Sequence, residues 1–250
     1  VGLYSGISKV SNMLELLNTE QYLSLRNQAF ENDNVVPTQF NAADLVVWDR
    51  NRYTDWQKEL FGGSAVVTRL NIGLSGGSKN TTFRLVGSYQ NTGTVFAGDA
   101  NYRKLTTSLN LNHFSQDKRF RMNLAINYGI DGFISQAVTL PPNAPALYGA
   151  DGGLNWENSS WVNPFGVLKM ETSAHTDNLI SNLGLSYRLG KGFLVKANMG
   201  YTYLSNEEKV NRPLTAYDPA LWDRQDHSSL LGLTKRKSWI IEPQVEYDNT

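Results

Sequence analysis

The sequence predicts an all-β protein, part of a large antiparallel transmembrane β-barrel with about eight strands present, long extracellular loops and one or two short loop helices. Three observations lead there. Apolar and polar residues alternate over unusually long segments, tight and long connections follow one another, and no stretch approaches the roughly 18 consecutive apolar residues of a membrane helix. From Arg119 to Asp131, Phe120, Met122, Leu124, Ile126, Tyr128 and Ile130 share one face, and Arg121, Asn123 and Asn127 share the other, because strand side chains alternate. A membrane-crossing strand needs roughly 9–11 residues, and this segment supplies them.

Strands are expected at Gly2–Val10, Val67–Ser75, Thr81–Thr94, Lys104–Phe114, Arg119–Asp131, Asn178–Leu189, Phe193–Leu204 and Ser238–Tyr247. Each carries one apolar face, such as Leu183, Leu185 and Tyr187, and an opposite face of Asn, Ser, Thr, Arg, Lys and Gln. Period two recurs throughout. Gly76 to Asn80, Ser115 to Lys118 and Gly190-Lys191-Gly192 are tight hairpin turns, since glycine and small polar residues tolerate the backbone angles involved. The other connections are longer: roughly Val95–Arg103, Gly132–Asp177 and Ser205–Lys237. Barrels of bacterial outer membranes place short turns inside and long loops outside, which orients the strands. Two helices interrupt the first link. Asn18 followed by Gln21, with Leu17 and Tyr22 flanking them, forms a capping box and staple for a helix from about Thr19 to Phe30. A shorter helix follows Thr54, with Gln57 three residues on, Trp56 and Leu60 on one face and Gly62-Gly63 ending it.

Composition excludes several classes. The chain has 250 residues, 40% hydrophobic and 18% charged, with 23 basic against 23 acidic residues, so there is no basic footprint for nucleic acid. It has no cysteine, which removes disulfide scaffolds and thiolate metal sites. A mean hydropathy of -0.39 suits a barrel, whose membrane signal lies in alternation. The sequence begins within one strand pattern and stops after another, so residues 1–250 are expected to be a partial barrel domain.

No catalytic constellation emerges. His113, His175 and His227 are far apart, without metal-binding spacing, and there is no G-x-S-x-G elbow. Glu207-Glu208 and Asp223/Asp226 read as solvated loop charges. Gly149 to Gly153 lacks the alternating oxygen ligands of a calcium loop and reads as a glycine-rich turn joining two short loop strands. No catalytic residue, metal or cofactor is assigned, and the chain is not expected to be an enzyme.

Three segments occur in a telling order: Leu16-Leu17-Asn18-Thr19-Glu20-Gln21-Tyr22, then Tyr53-Thr54-Asp55-Trp56-Gln57-Lys58-Glu59-Leu60-Phe61, then Leu74-Ser75-Gly76-Gly77. With Pro142 to Tyr148, Leu154 to Asn158 and Trp239 to Gln244, this series resembles the SusC/RagA family of TonB-dependent outer-membrane transporters. The resemblance implies a barrel closed around an N-terminal plug, energised by TonB and capped by a SusD-like surface lipoprotein, importing oligosaccharides or peptides into Bacteroidetes cells. The plug domain and remaining barrel strands are expected to be absent from these residues, so TonB acts through parts outside them.

Within that frame Arg84, Arg121, Asn123 and Asn127 face the lumen. Tyr148, Trp156 and Trp161 in the longest loop, with Tyr217 and Trp222 in the next, are candidates to contact substrate or the lid lipoprotein. Aromatic faces suit sugar rings, and packing of the loops is the ordinary alternative. Tyr201, Tyr203, Trp239 and Tyr247 fit an interfacial girdle against outer-membrane lipid. The rival reading is a soluble or surface-exposed all-β glycan-binding protein or adhesin without transport, because alternation alone does not separate a sandwich from a barrel.

Overall fold

The computed structural model describes residues 1–98, 100–135 and 140–248. Eight strands form one antiparallel sheet in sequence order: β1 Gly2–Lys9, β2 Ser64–Gly77, β3 Thr81–Gly93, β4 Asn101–Phe114, β5 Phe120–Ser135, β6 Glu171–Gly190, β7 Phe193–Arg212 and β8 Ser228–Tyr247. Each strand pairs with its chain neighbour, so every connection is a hairpin. The tight turn between β6 and β7 needs left-handed backbone, supplied by Gly190 at φ 100, Lys191 at φ 51 and Gly192 at φ 79.

Register turns the alternation into two continuous surfaces. Phe83, Leu111, Leu124, Leu183, Met199 and Ile241 are successive cross-strand partners from β3 to β8. The neighbouring row on the opposite face runs Thr82, Asn112, Asn123, Gly184, Asn198 and Glu242. Among the described residues none covers the apolar surface: Leu74 is 59% exposed, Ile241 56% and Trp239 75%.

Charge enters the apolar face only toward the end where the long connections lie. Its onset falls against the register, from Arg103 in β4, whose row contains His175, to Asp177 two residues inward in β6. The Asp177 row contains Lys235, and in β8 the charge begins at Lys237, two residues further inward. A band that stays level while the register drifts is what tilted barrel strands produce.

Six strands, β2 and β4 to β8, outrun expectation, the last three by the most. β6, β7 and β8 are each 20 residues long, so the links expected at Gly132–Asp177 and Ser205–Lys237 are shorter than the sequence implies. The outer end of β7 carries polar side chains on both faces, in Ser205-Asn206-Glu207-Glu208-Lys209, and backbone pairing continues there although the side-chain period is lost.

The long connections contain the helices: α1 Thr19–Asn32, α2 Ala43–Val46, α3 Trp56–Phe61 and α4 Pro164–Val167. The capping box on α1 is present, with the Asn18 side chain accepting from the Gln21 amide and the Gln21 side chain accepting from the Asn18 amide. For α3 the expected start is corrected. Asp55 rather than Thr54 is the N-cap, its carboxylate accepting from the Lys58 amide, because aspartate is a strong N-cap residue and directly precedes the first helical residue. Gly62 ends α3 at φ -76, without the left-handed cap expected of it.

Candidate functional site

All the long connections lie at one end of the sheet and knit together there. Ala97 N donates to Leu60 O at 2.8 Å and Gly63 N to Val95 O at 3.1 Å, joining the β1–β2 and β3–β4 links. Trp48 Nε1 donates to Ser160 Oγ at 2.9 Å, joining the first link to the β5–β6 link. Ser159 Oγ donates to Asp218 Oδ2, bringing in the β7–β8 link.

Two small cores hold this loop layer. In one, Trp56, Leu60, Ala144 and Trp161 are buried. Trp161 meets Trp48 edge-on and Trp56 at a tilt, each at 6.3 Å between ring centroids, and both Trp56 and Trp161 satisfy their indole N–H on backbone carbonyls of Pro141 and Asn155. In the other, Leu23, Ala42 and Leu45 pack beneath α1. Beside it, buried Asp44 accepts from Tyr22 Oη at 2.9 Å and from Arg26 Nε at 2.8 Å. Burial, the hydrogen bond to Asp44 and its charge push the Tyr22 hydroxyl up to about 12. The same Asp44 hydrogen bond raises the Arg26 guanidinium above its usual value. The Asp44 carbonyl accepts from fully buried Asn143 at 2.8 Å, tying α2 to the β5–β6 link.

The five aromatic candidates separate under this geometry. Trp161 is only 8% exposed and serves as a core residue of the layer, so its ring is not offered to a ligand. Trp156 lies over α4 so closely that a Cβ on Gly166 would sit 2.5 Å from its ring. Tyr148, 52% exposed, flanks the same helix, 5.9 Å from Phe165. Trp222 donates its indole N–H to the Tyr217 carbonyl at 3.1 Å and is 39% exposed. Tyr148 and Trp222 thus present open rings, while Trp156 and Tyr217 are half-buried.

Several organising residues escape a sequence reading. Asn163 caps α4 and, fully buried, donates to the carbonyls of Leu147 and Asn155. Its sequence signal is the following Pro164, since proline suits the first helical position. Between Trp156 and Trp161, Glu157, Asn158 and Ser159 are all left-handed, at φ 44, 55 and 62. The Asn155 side chain holds that turn through the Glu157 amide and carboxylate. Asp44, Trp48 and Asn143 carry no local signal, because their partners lie elsewhere in the chain.

On the sheet, Arg84, Arg121, Asn123 and Asn127 fall on the polar face in register: Arg84 opposite Asn110, Asn123 opposite Asn112 and Asn127 opposite Ser108. The Arg121 guanidinium sits 5.5 Å above the ring of its partner Phe114. His113, on the apolar face near the tight turns, shares a 2.8 Å hydrogen bond with Thr81. Among the described residues no three acidic or histidine groups converge as a metal site would require. Gly149 to Gly153 forms a turn closed by Gly149 N donating to Gly153 O at 2.9 Å, beneath a Tyr148–Leu154 bridge.

The sequence matches no family model and no curated protein. Its structure does find neighbours. A structure of the RagAB peptide importer in the closed-closed state superposes with a TM-score of 0.61 at 17% identity, covering 87% of this chain and 29% of that one. The fold is that of a segment of a large antiparallel β-barrel. A RagAB peptide transporter structure gives 0.61 at 18% identity, and the open-open state of the importer gives 0.59 at 17%. This chain spans under a third of the length of each.

Proposed function

We propose that the chain forms part of the barrel of an outer-membrane transporter of the SusC/RagA type. The apolar face meets lipid, and the polar face with Arg84, Arg121, Asn123 and Asn127 lines a passage. The layer of helices and loops stands on the outside, where Tyr148 and Trp222 contact cargo or a SusD-like surface lipoprotein. TonB supplies energy through parts outside these residues. The chain acts by passage rather than by chemistry and needs no cofactor. Peptides are the favoured cargo over oligosaccharides, because the structural neighbours are peptide importers.

One observation carries this reading: a continuous apolar face that none of the described residues covers, bounded at both ends by aromatic residues. Phe193 and Tyr247 stack at 4.7 Å at the end with the tight turns, and Tyr201 and Trp239 pair toward the loops. From Phe193 to Tyr203 the strand rises roughly 33 Å at ~3.3 Å per residue. A tilt of about 40° reduces this to about 25 Å, the height of the apolar band in membrane barrels. Lys237 Nζ sits 5.7 Å from the Tyr203 ring centroid, just above the band, where long basic side chains reach toward the aqueous boundary.

The test is a paired substitution on adjacent residues of β5. Leu124→Arg places charge in the band and is expected to cost about 2–4 kcal/mol, seen as loss of heat-modifiable, membrane-assembled protein. Asn123→Arg, on the other face, is expected to assemble normally. Equal effects from the two would overturn the assignment of faces, and recovery of the native protein in the aqueous fraction without detergent would favour the soluble binding protein.

A further inference from the structure

Amide side chains gather around a glycine on the polar face of the sheet. Asn112, Asn123, Gly184, Asn198 and Glu242 are successive register partners from β4 to β8. One row toward the loops, Ala125, Asn182 and Gly200 are partners on β5, β6 and β7. A Cβ on Gly184 would lie 3.6 Å from Asn198 Oδ1 and 3.9 Å from Asn123 Nδ2, so an acceptor leans toward the glycine from one flank and a donor from the other. The floor between them is bare backbone. Asn123, Asn182 and Asn198 are exposed and form no side-chain hydrogen bond among the described residues.

Charge stays at the border of this slot. Glu242 lies beyond Asn198, and Arg121 and Lys196 flank Ser186 one row toward the tight turns. Lys196 pairs with Glu246, and Arg121 lies over Phe114. What the slot offers is therefore a neutral donor and a neutral acceptor on opposite sides of a glycine. At ~4.8 Å between neighbouring strands, β5 and β7 stand about 10 Å apart across it. A hydroxyl joins its donor and acceptor on one oxygen and reaches one flank at a time. A secondary amide carries its N–H and C=O on opposite edges and spans both.

We propose that this slot binds the secondary amide of a passing peptide backbone, its N–H toward Asn198 Oδ1 and its C=O toward Asn123 Nδ2, with Gly184 permitting close approach of the amide plane. The inference rests on the reading of this face as the wall of a passage for peptides. It adds how the wall recognises them, by backbone and without regard to side chains. Each neutral hydrogen bond replaces one made to water and is individually weak, which suits a wall that has to release what it binds. Asn182 Oδ1, 3.5 Å from where a Cβ on Gly200 would lie, supplies a further acceptor one row toward the loops.

A reporter beside the slot tests this in the native, detergent-extracted protein: Ala125→Cys, labelled with N-ethylmaleimide and read by mass spectrometry at that residue. N-acetyl-trialanine amide, an uncharged backbone with minimal side chains, is expected to slow the labelling. The matched lactic-acid ester, in which ester oxygens replace the backbone N–H groups, is expected to need about twofold to tenfold more for half-protection, the loss of one neutral hydrogen bond. Maltotriose is expected to give no protection. Asn123→Leu and Asn198→Leu are each expected to weaken protection by the peptide by the same factor. Gly184→Ala, whose methyl would sit at ordinary contact distances, is expected to weaken it by lifting the amide from the floor. Asn178→Leu, further along the same face of β6, is expected to change nothing. Unchanged heat-modifiable migration shows that the variants are folded. No protection by the peptide, equal protection by the ester, or protection that survives all three slot variants overturns the slot and leaves the passage reading standing. Protection by maltotriose in place of the peptide defeats the peptide reading with it. Absence of any label on Ala125→Cys shows the slot covered by the protein's own backbone and overturns its assignment to cargo.

Discussion

The sheet and the loop layer solve the burial problem in opposite ways. Apart from Ala65 at the start of β2, the buried residues of the strands and connections lie in the loop layer or its links: Leu23, Leu45, Trp56, Leu60, Trp161 and the polar Asp44, Asn143 and Asn163 among them. The sheet holds together through its backbone ladder and leaves its large side chains outward, with Leu3 74% and Val245 68% exposed. A water-soluble domain would show the reverse, since burying apolar area is its dominant stabilisation. The difference teaches that the loops carry their own cores, whereas among the described residues none covers the apolar face of the sheet.

That contrast can be broken experimentally. Trp161→Ala empties the larger loop core and is expected to cost about 3–5 kcal/mol locally. Hydrogen exchange should rise across Trp48, α3 and the 140–168 segment, while the sheet keeps its heat-modifiable migration. Loss of sheet assembly in this variant would show that the two regions fold as one unit. Gly166→Ala is a smaller insult, because the added methyl would meet the Trp156 ring at 2.5 Å and the Ala216 carbonyl at 2.7 Å. Overpacking of this kind costs about 1–3 kcal/mol, and protease cleavage near α4 should increase without change elsewhere.

A milder perturbation is alkali. The Tyr22 hydroxyl titrates higher in the fold, about 12 against 10.0, so its contribution is complete below pH 10 and is lost as pH rises through about 12. Phenolate absorbance should show one late-titrating tyrosine in the loop layer. In Asp44→Asn that tyrosine should titrate earlier, because the carboxylate that its hydroxyl contacts is gone. An unchanged titration would remove Asp44 as a cause.

Legibility in the sequence followed the same division. Where one face is apolar, as from Phe120 to Ile130, period two reports strand and face together, and the register agrees row by row. Where both faces turn polar, as in Ser205 to Lys209, the strand persists through hydrogen bonds that sequence does not display. The capping box at Asn18 was legible because its chemistry is local. The loop cores were not, because Trp48 and Ser160 or Asp44 and Asn143 meet across about a hundred residues of chain. Aromatic composition therefore marked two loops without separating the core ring of Trp161 from the open rings of Tyr148 and Trp222.

The most direct test of the central claim uses the one tryptophan on the sheet. Of the six tryptophans, Trp239 lies on the apolar face of β8, and Trp48, Trp56, Trp156, Trp161 and Trp222 belong to the long connections. The native protein is reconstituted in vesicles whose acyl chains carry bromine, a collisional quencher confined to the hydrocarbon. Part of the tryptophan emission should be quenched, and that part should vanish in Trp239→Phe. Quenching that is absent from the native protein, or that persists unchanged in Trp239→Phe, would contradict the claim that this face meets lipid.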